Sequence, residues 1–251
     1  MLRFAMILMV LVLRDVAVAH ADPLASKAEV SPVCVILIGG IDSDPTPKQI
    51  DGTAQRGQGQ SGLYQLAGNL AREGLATEYF NWNGTRAGKI KEKPPLAPGI
   101  VTFLTARHAE HPTERLAIVA NSWGGHTAWE VCQALPEKEV AIELAVFLDP
   151  SSAGRAKTSR PETLPTCIKS ARNYYTRNLF GWREWPNEER LINIDLGDTQ
   201  HGFLVKGGPK YDSTFDPQAH IAAEWDSRIH DDITKHLVEL LKAKPETPPI
   251  K

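Results

Sequence analysis

Six short apolar runs punctuate this chain: VCVILIG (33–39), ATEYFNW (76–82), LAIVAN (116–121), LAVFLD (144–149), CIKSARNYY (167–175) and LINIDL (191–196). They are rich in β-branched, leucine and aromatic side chains, and the central ones are too continuously apolar to keep one face in water. Between and after them, SGLYQLAGNLAREG (61–74), GGHTAWEVCQAL (124–135) and DSRIHDDITKHLVELLKA (226–243) carry apolar residues at helical spacing. Strands buried on both faces need helices on both faces. The alternation therefore predicts an α/β fold with a mostly parallel central sheet. No repeat or composition break marks a second domain, so residues 22–251 read as one domain with a proline-rich, frayed tail from about residue 244.

Composition narrows the function. The chain is 42% hydrophobic and 23% charged with a formal net charge of -2, an ordinary globular balance without the basic stripe that a nucleic-acid partner requires. At the N-terminus, Arg3 precedes the apolar run FAMILMVLVL (4–13), and Ala19-His20-Ala21 offers small residues for cleavage. Residues 1–21 read as a signal peptide, too short in its apolar run to span a bilayer of roughly 30 Å. The expected product is secreted or periplasmic, with no stable membrane anchor after processing. Export would place Cys34, Cys132 and Cys167 in an oxidising compartment, where an odd count leaves at least one thiol without an intramolecular partner. Cys34 reads as a small buried hydrophobe, and a pairing of Cys132 with Cys167 stays open. The NGT at 83–85 fits both a turn and a glycosylation sequon.

The chemistry concentrates in VANSWGGHTAW (119–129), where Ser122 follows an apolar run and precedes a helical stretch. Ala120 and Gly124 stand two positions to either side, matching the nucleophile elbow G-x-S-x-G with alanine in place of the first glycine. A sharp strand-to-helix turn brings backbone so close to these positions that larger side chains would collide, and it aims the serine Oγ at a helix N-terminus. Gly39-Gly40 at the end of the first strand is where a second oxyanion donor would come from. Gly40 and Ile41 are the candidates, paired with the N–H of Trp123. No Gly-Lys-Ser/Thr follows these glycines, which argues against a phosphate loop. Asp149 ends the strand after the elbow helix, on the ligand-binding edge of such a sheet, and could orient a histidine; Asp-Pro is also a common turn.

Together ANSWGG, LDP, the NYY of 173–175 and AHIAAEWDSRIHDDI (219–233) resemble secreted, lipase-like serine hydrolases of the α/β-hydrolase superfamily, over roughly residues 33–241. The resemblance implies an α/β-hydrolase fold trimmed of its first two strands, a triad in the order Ser, Asp, His, and hydrolysis of small-molecule or lipid carboxylic esters without cofactor or metal. The place of the acid is similar to that in pancreatic-type lipases. Two departures stand out: Ala120 replaces a glycine, and no histidine precedes Gly39-Gly40.

Two histidines compete as base. His201 in GDTQHGF resembles the HGF of dienelactone-hydrolase-like enzymes; His220 lies before the terminal helix, whose Ile229, Ile233, Leu237 and Leu240 would anchor a loop bearing it. His220 is favoured. Asp195 and Asp198 remain alternative acids. A late cluster of His201, Asp212, Asp216, His220 and His230 lacks the spacing of a metal site, and His230 and His236 are expected on a solvated helix face. Trp82, Trp123, Trp182 and Trp185 are candidates for an acyl pocket, and the polar segments 151–165, 178–189 and 202–218 for lid and walls, which favours esters of modest size. The rival reading is a binding protein that keeps the fold without the chemistry.

Overall fold

The computed structural model describes residues 32–41, 61–82, 96–152, 161–179, 181–186 and 188–242. The expected leader of residues 1–21, the sequon at 83–85 and the tail from 244 lie outside the described residues.

Six described strands form one sheet: β1 (Val33–Gly39), β2 (Ala76–Asn81), β3 (Arg115–Asn121), β4 (Ile142–Leu148), β5 (Ile168–Tyr175) and β6 (Leu191–Asp195). Their order is β2-β1-β3-β4-β5-β6, and every neighbouring pair is parallel. The helices are α1 (Gly62–Arg72), α2 (Leu96–Glu110), α3 (Trp123–Ala134), α4 (Pro217–Trp225) and α5 (Ser227–Lys242). Each predicted strand is present to within two residues at either end.

The period of two along β1 sorts the core into two layers. Val33, Val35 and Leu37 face a layer with Leu63, Leu66 and Leu70 of α1 and Ile229, Ile233 and Leu237 of α5. Cys34, Ile36 and Ile38 face the opposite layer, with Ile100 and Leu104 of α2 and Val131 of α3. Each large aliphatic buried this way contributes about 1.5–3 kcal/mol, so neither face can be stripped of its helices. Among the described residues, no helix is long and apolar enough to cross a membrane.

Sequence reading missed two helices. In α2, Pro98 and Gly99 interrupt the apolar stripe, but Pro98 falls in the first turn, where its missing N–H would have had no partner. In α4, Asp216 caps the helix by accepting from the Gln218 N–H at 3.0 Å, and Pro217 opens it, a start signal that was readable.

After β1 the chain turns to β2 on one side and returns to β3 on the other. The crevice of such a sheet opens at that switch, beyond the C-terminal ends of β1 and β3. Gly40 follows the first of these ends and Ser122 the second.

Candidate active site

Ser122 sits between β3 and α3 with φ 52° and ψ -123°, a conformation that non-glycine residues rarely adopt. What holds it there is backbone: its carbonyl accepts from the N–H groups of Gly125 and Ser151, each at 2.9 Å, and its N–H donates to the Leu148 carbonyl at 3.1 Å. The turn is tight enough that a methyl on Gly124 would fall 2.1 Å from the Ile38 carbonyl oxygen, so only glycine fits. Ala120, the departure at the elbow's first small position, is fully buried in the α2/α3 layer and is accommodated there.

The serine hydroxyl meets His220, whose Nε2 lies 2.8 Å from Ser122 Oγ. His220 Nδ1 lies 2.6 Å from Asp149 Oδ2. A carboxylate can only accept, so Asp149 fixes the proton on Nδ1 and leaves the Nε2 lone pair facing the serine. Asp149 is fully buried and itself oriented, accepting from the Thr176 N–H and hydroxyl, each at 3.0 Å. It follows β4 with φ 42°. Burial pushes the His220 imidazole down, but the hydrogen bond and charge of Asp149, helped by the charge of Glu224, outweigh it and leave its pKa above the ordinary 6.5.

The predicted oxyanion donors lie beside the serine. A methyl on Gly40 would come within 2.8 Å of Ser122 Cβ and 3.3 Å of its Oγ, so the backbone there runs close beside the serine side chain; Ile41 follows it. Trp123 is the first residue of α3, where an N–H has no intrahelical partner. One neighbour escaped sequence reading: Ser151 Oγ stands 3.4 Å from Ser122 Oγ. Its only signal was adjacency to Asp149-Pro150.

Other candidates fall elsewhere. His201 is exposed on a 3-10 turn at Thr199–His201 and makes no described contact with Ser122. Asp195 is engaged by Arg177 Nε at 2.9 Å, and Asp198 caps the turn by accepting from the Gln200 N–H. His220 lies within helix α4 rather than on a loop. His230 is 2% exposed, not solvated, because it turns inward to donate to the Glu224 carbonyl at 2.7 Å. Among the described residues no three His, Cys, Asp or Glu side chains are grouped to hold a metal.

The four tryptophans divide. Trp82 and Trp123 make an edge-to-face pair at 5.1 Å beside the serine, with the Thr127 hydroxyl donating to the Trp82 carbonyl at 2.5 Å. Trp182 and Trp185 are 7% and 3% exposed and belong to the core instead. Their burial ties segment 178–189 down, and the Leu179 N–H donates to the Thr214 carbonyl at 3.1 Å, joining it to segment 202–218. Gly181 sets segment 178–189 against the acid: a methyl there would fall 2.7 Å from Asp149 Oδ1. Of the third candidate segment, residues 153–160 lie outside the described residues. The three cysteines are buried and unbridged, with the Cys167 thiol donating to the Cys132 carbonyl at 3.0 Å.

A parallel sheet in this order, a serine on a positive-φ turn between strand and helix, and an acid and a histidine following it in the chain define an α/β-hydrolase fold. No family model and no curated protein matches the sequence. Solved structures of low identity are similar to it. One is an α/β serine hydrolase without lid from Xanthomonas campestris, at 15% identity and a TM-score of 0.43, covering 88% of this chain and 85% of that one. Another is a cutinase-like protein from Cryptococcus, at 12% and 0.39, covering 85% and 97%. A third is an esterase from Pyrococcus furiosus, at 12% and 0.41, covering 84% and 83%.

Proposed function

We propose that this protein is a serine hydrolase of carboxylic esters that works through an acyl-enzyme. The observation that carries the reading is the continuous hydrogen-bonded line from Asp149 through His220 to Ser122, at 2.6 and 2.8 Å. In the first half-reaction His220 Nε2 takes the Ser122 proton as Oγ bonds to the ester carbonyl carbon. The resulting oxyanion is held by the N–H of Trp123 and one from Gly40 or Ile41. Collapse breaks the bond to the alcohol oxygen, which leaves with the proton from His220. A water then gives its proton to His220, attacks the acyl carbon and releases the acid, returning the proton to Ser122.

The substrate reading rests on the rim. Ile41 follows Gly40, Ile221 follows His220, Leu179 donates its N–H to the Thr214 carbonyl, and Phe215 follows Thr214. These four are 47%, 51%, 56% and 77% exposed. Exposed apolar side chains on the segments that carry or adjoin the relay suit an ester with an apolar acyl or alcohol group, small or lipidic. Export through the N-terminal leader belongs to the same proposal and is checked by the N-terminus of secreted material.

The test is covalent. The mature protein is expected to hydrolyse short-chain activated esters and to take up a fluorophosphonate probe on the peptide that contains Ser122. Labelling that persists in Ser122→Ala would refute the assignment.

A further inference from the structure

Besides Asp149, a second buried carboxylate stands beside His220. Glu224 is 7% exposed and lies four residues after His220 on α4, so the two side chains share one helix face. Its Oε1 accepts from the Leu63 N–H at 3.1 Å and from the Ser61 hydroxyl at 3.2 Å. That N–H lies in the first turn of α1, where no intrahelical carbonyl can satisfy it and the helix dipole favours a negative charge. The approach depends on Gly62, since a methyl there would fall 2.4 Å from the Glu224 carbonyl oxygen.

Capping does not explain the charge. Ser61 already caps α1 by accepting from the Tyr64 N–H at 3.0 Å, a task for which a neutral side chain suffices. A carboxylate is costly to bury, so it needs a stronger reason to be there. Among the described residues, the charged and titratable groups around it are few. His220 faces it from its own helix. Tyr79 of β2 reaches it through Ser61, the two hydroxyls being 2.9 Å apart. His230 of α5 meets its carbonyl rather than its carboxyl. Burial raises the Glu224 carboxyl above its ordinary range, outweighing the Leu63 and Ser61 donors and the charge of His220, which pull against that rise. Of these neighbours, His220 is the one that becomes a cation in turnover.

We propose that Glu224 is a positioning residue for His220: it docks the histidine-bearing helix on the N-terminus of α1 and keeps a fixed negative charge one turn from the imidazole. The inference rests on the serine-hydrolase reading. When Ser122 gives up its proton, the imidazolium is stabilised from two sides, by Asp149 through a hydrogen bond and by Glu224 through space.

The test uses the mature full chain with a short-chain activated ester, and Ser122→Ala as the background. Glu224→Gln keeps an oxygen that can accept from α1 but removes the charge. Its kcat is expected to fall about fivefold with KM little changed, on the scale of one partly screened charge acting on an imidazolium. The acid limb of its kcat/KM profile moves to lower pH, because the imidazolium loses a stabilising neighbour. Ser61→Ala removes a hydrogen bond from the same cluster and leaves both charges, so it lowers Tm without moving the limb. A folded Glu224→Gln with wild-type kcat and limb overturns the proposal. So does a loss of kcat with the limb unmoved, which would make Glu224 a packing element alone. Full activity in Ser122→Ala would instead remove the serine-hydrolase reading, and this inference with it.

Discussion

The elbow and the histidine arm meet at one point but are held there by different forces. Ser122 and Asp149 follow adjacent strands, β3 and β4, and both have positive φ, 52° and 42°. Their places are dictated by backbone hydrogen bonds and by contacts that admit only glycine. His220 arrives 98 residues after Ser122 on a nine-residue helix. What locates it is side-chain chemistry: the bond to Asp149, and the grip of Glu224 on α1. A serine and an aspartate on rigid turns are thus paired with a histidine whose position depends on tertiary contacts, and the two halves should respond differently to substitution.

The largest effect is expected where the halves touch. His220→Ala should drop ester hydrolysis to the Ser122→Ala background, a loss of about 10⁴-fold or more, since members of such a relay act as a unit. Asp149→Asn should cost on the order of 10⁴ in kcat, the loss known when the orienting acid of a serine-protease triad becomes an amide. His201→Ala, in the same late region of the chain, should stay within about twofold, as exposed substitutions away from a site do. If His201→Ala were the dead variant, the arm would have to rearrange during catalysis and the comparison would collapse.

This division also explains what the sequence revealed. The six strands were legible because runs such as VCVILIG are buried on both faces, and nothing but a parallel sheet covered by helices suits them. Ser122 was legible because the elbow is local, a matter of residues 120–124 and their flanks. The histidine that meets Ser122 was ambiguous between His201 and His220 because nothing local distinguishes them. The partners that separate them, Asp149 and the α1 terminus, are distant in the chain. Glu224 and Ser61 are 163 residues apart, a pairing no motif encodes. Trp182 and Trp185 looked like pocket residues because an indole at a strand end suits a rim as well as a core, and only packing decides.

A smaller effect tests the rigidity of the elbow alone. Gly124→Ala would set a methyl 2.1 Å from the Ile38 carbonyl oxygen, and backbone cannot swing aside as a side chain does. Overpacking of this kind costs about 1–3 kcal/mol, and each kcal/mol lowers Tm by about 2–4 °C in a domain of this size. Gly68→Ala on α1 is the matched control. Its added methyl would meet only Arg72 Nη1, at 3.7 Å, so the better helix propensity of alanine should raise Tm or leave it unchanged. Equal Tm values for the two variants would mean the elbow is softer than its contacts imply.

The finest test reads the junction without breaking it, by following the protonation of His220. A general base must be neutral to accept the Ser122 proton, so kcat/KM should rise with pH as the imidazolium is lost. Burial favours the neutral ring, whereas Asp149 and Glu224 favour the cation and prevail, so the rise should be centred above pH 6.5. The His220 resonance in an NMR titration of the free protein should show the same midpoint, since both report the same proton. In Asp149→Asn the hydrogen bond to a charged acceptor and the nearer negative charge both disappear, while burial remains. The midpoint should therefore move down. This outcome is specific to an acid acting on the ring: if Asp149 did no more than pack beneath α4, its amide would leave the titration in place. A wild-type midpoint at or below 6.5 would mean that burial outweighs both carboxylates, and the arm would then be held by packing rather than by charge.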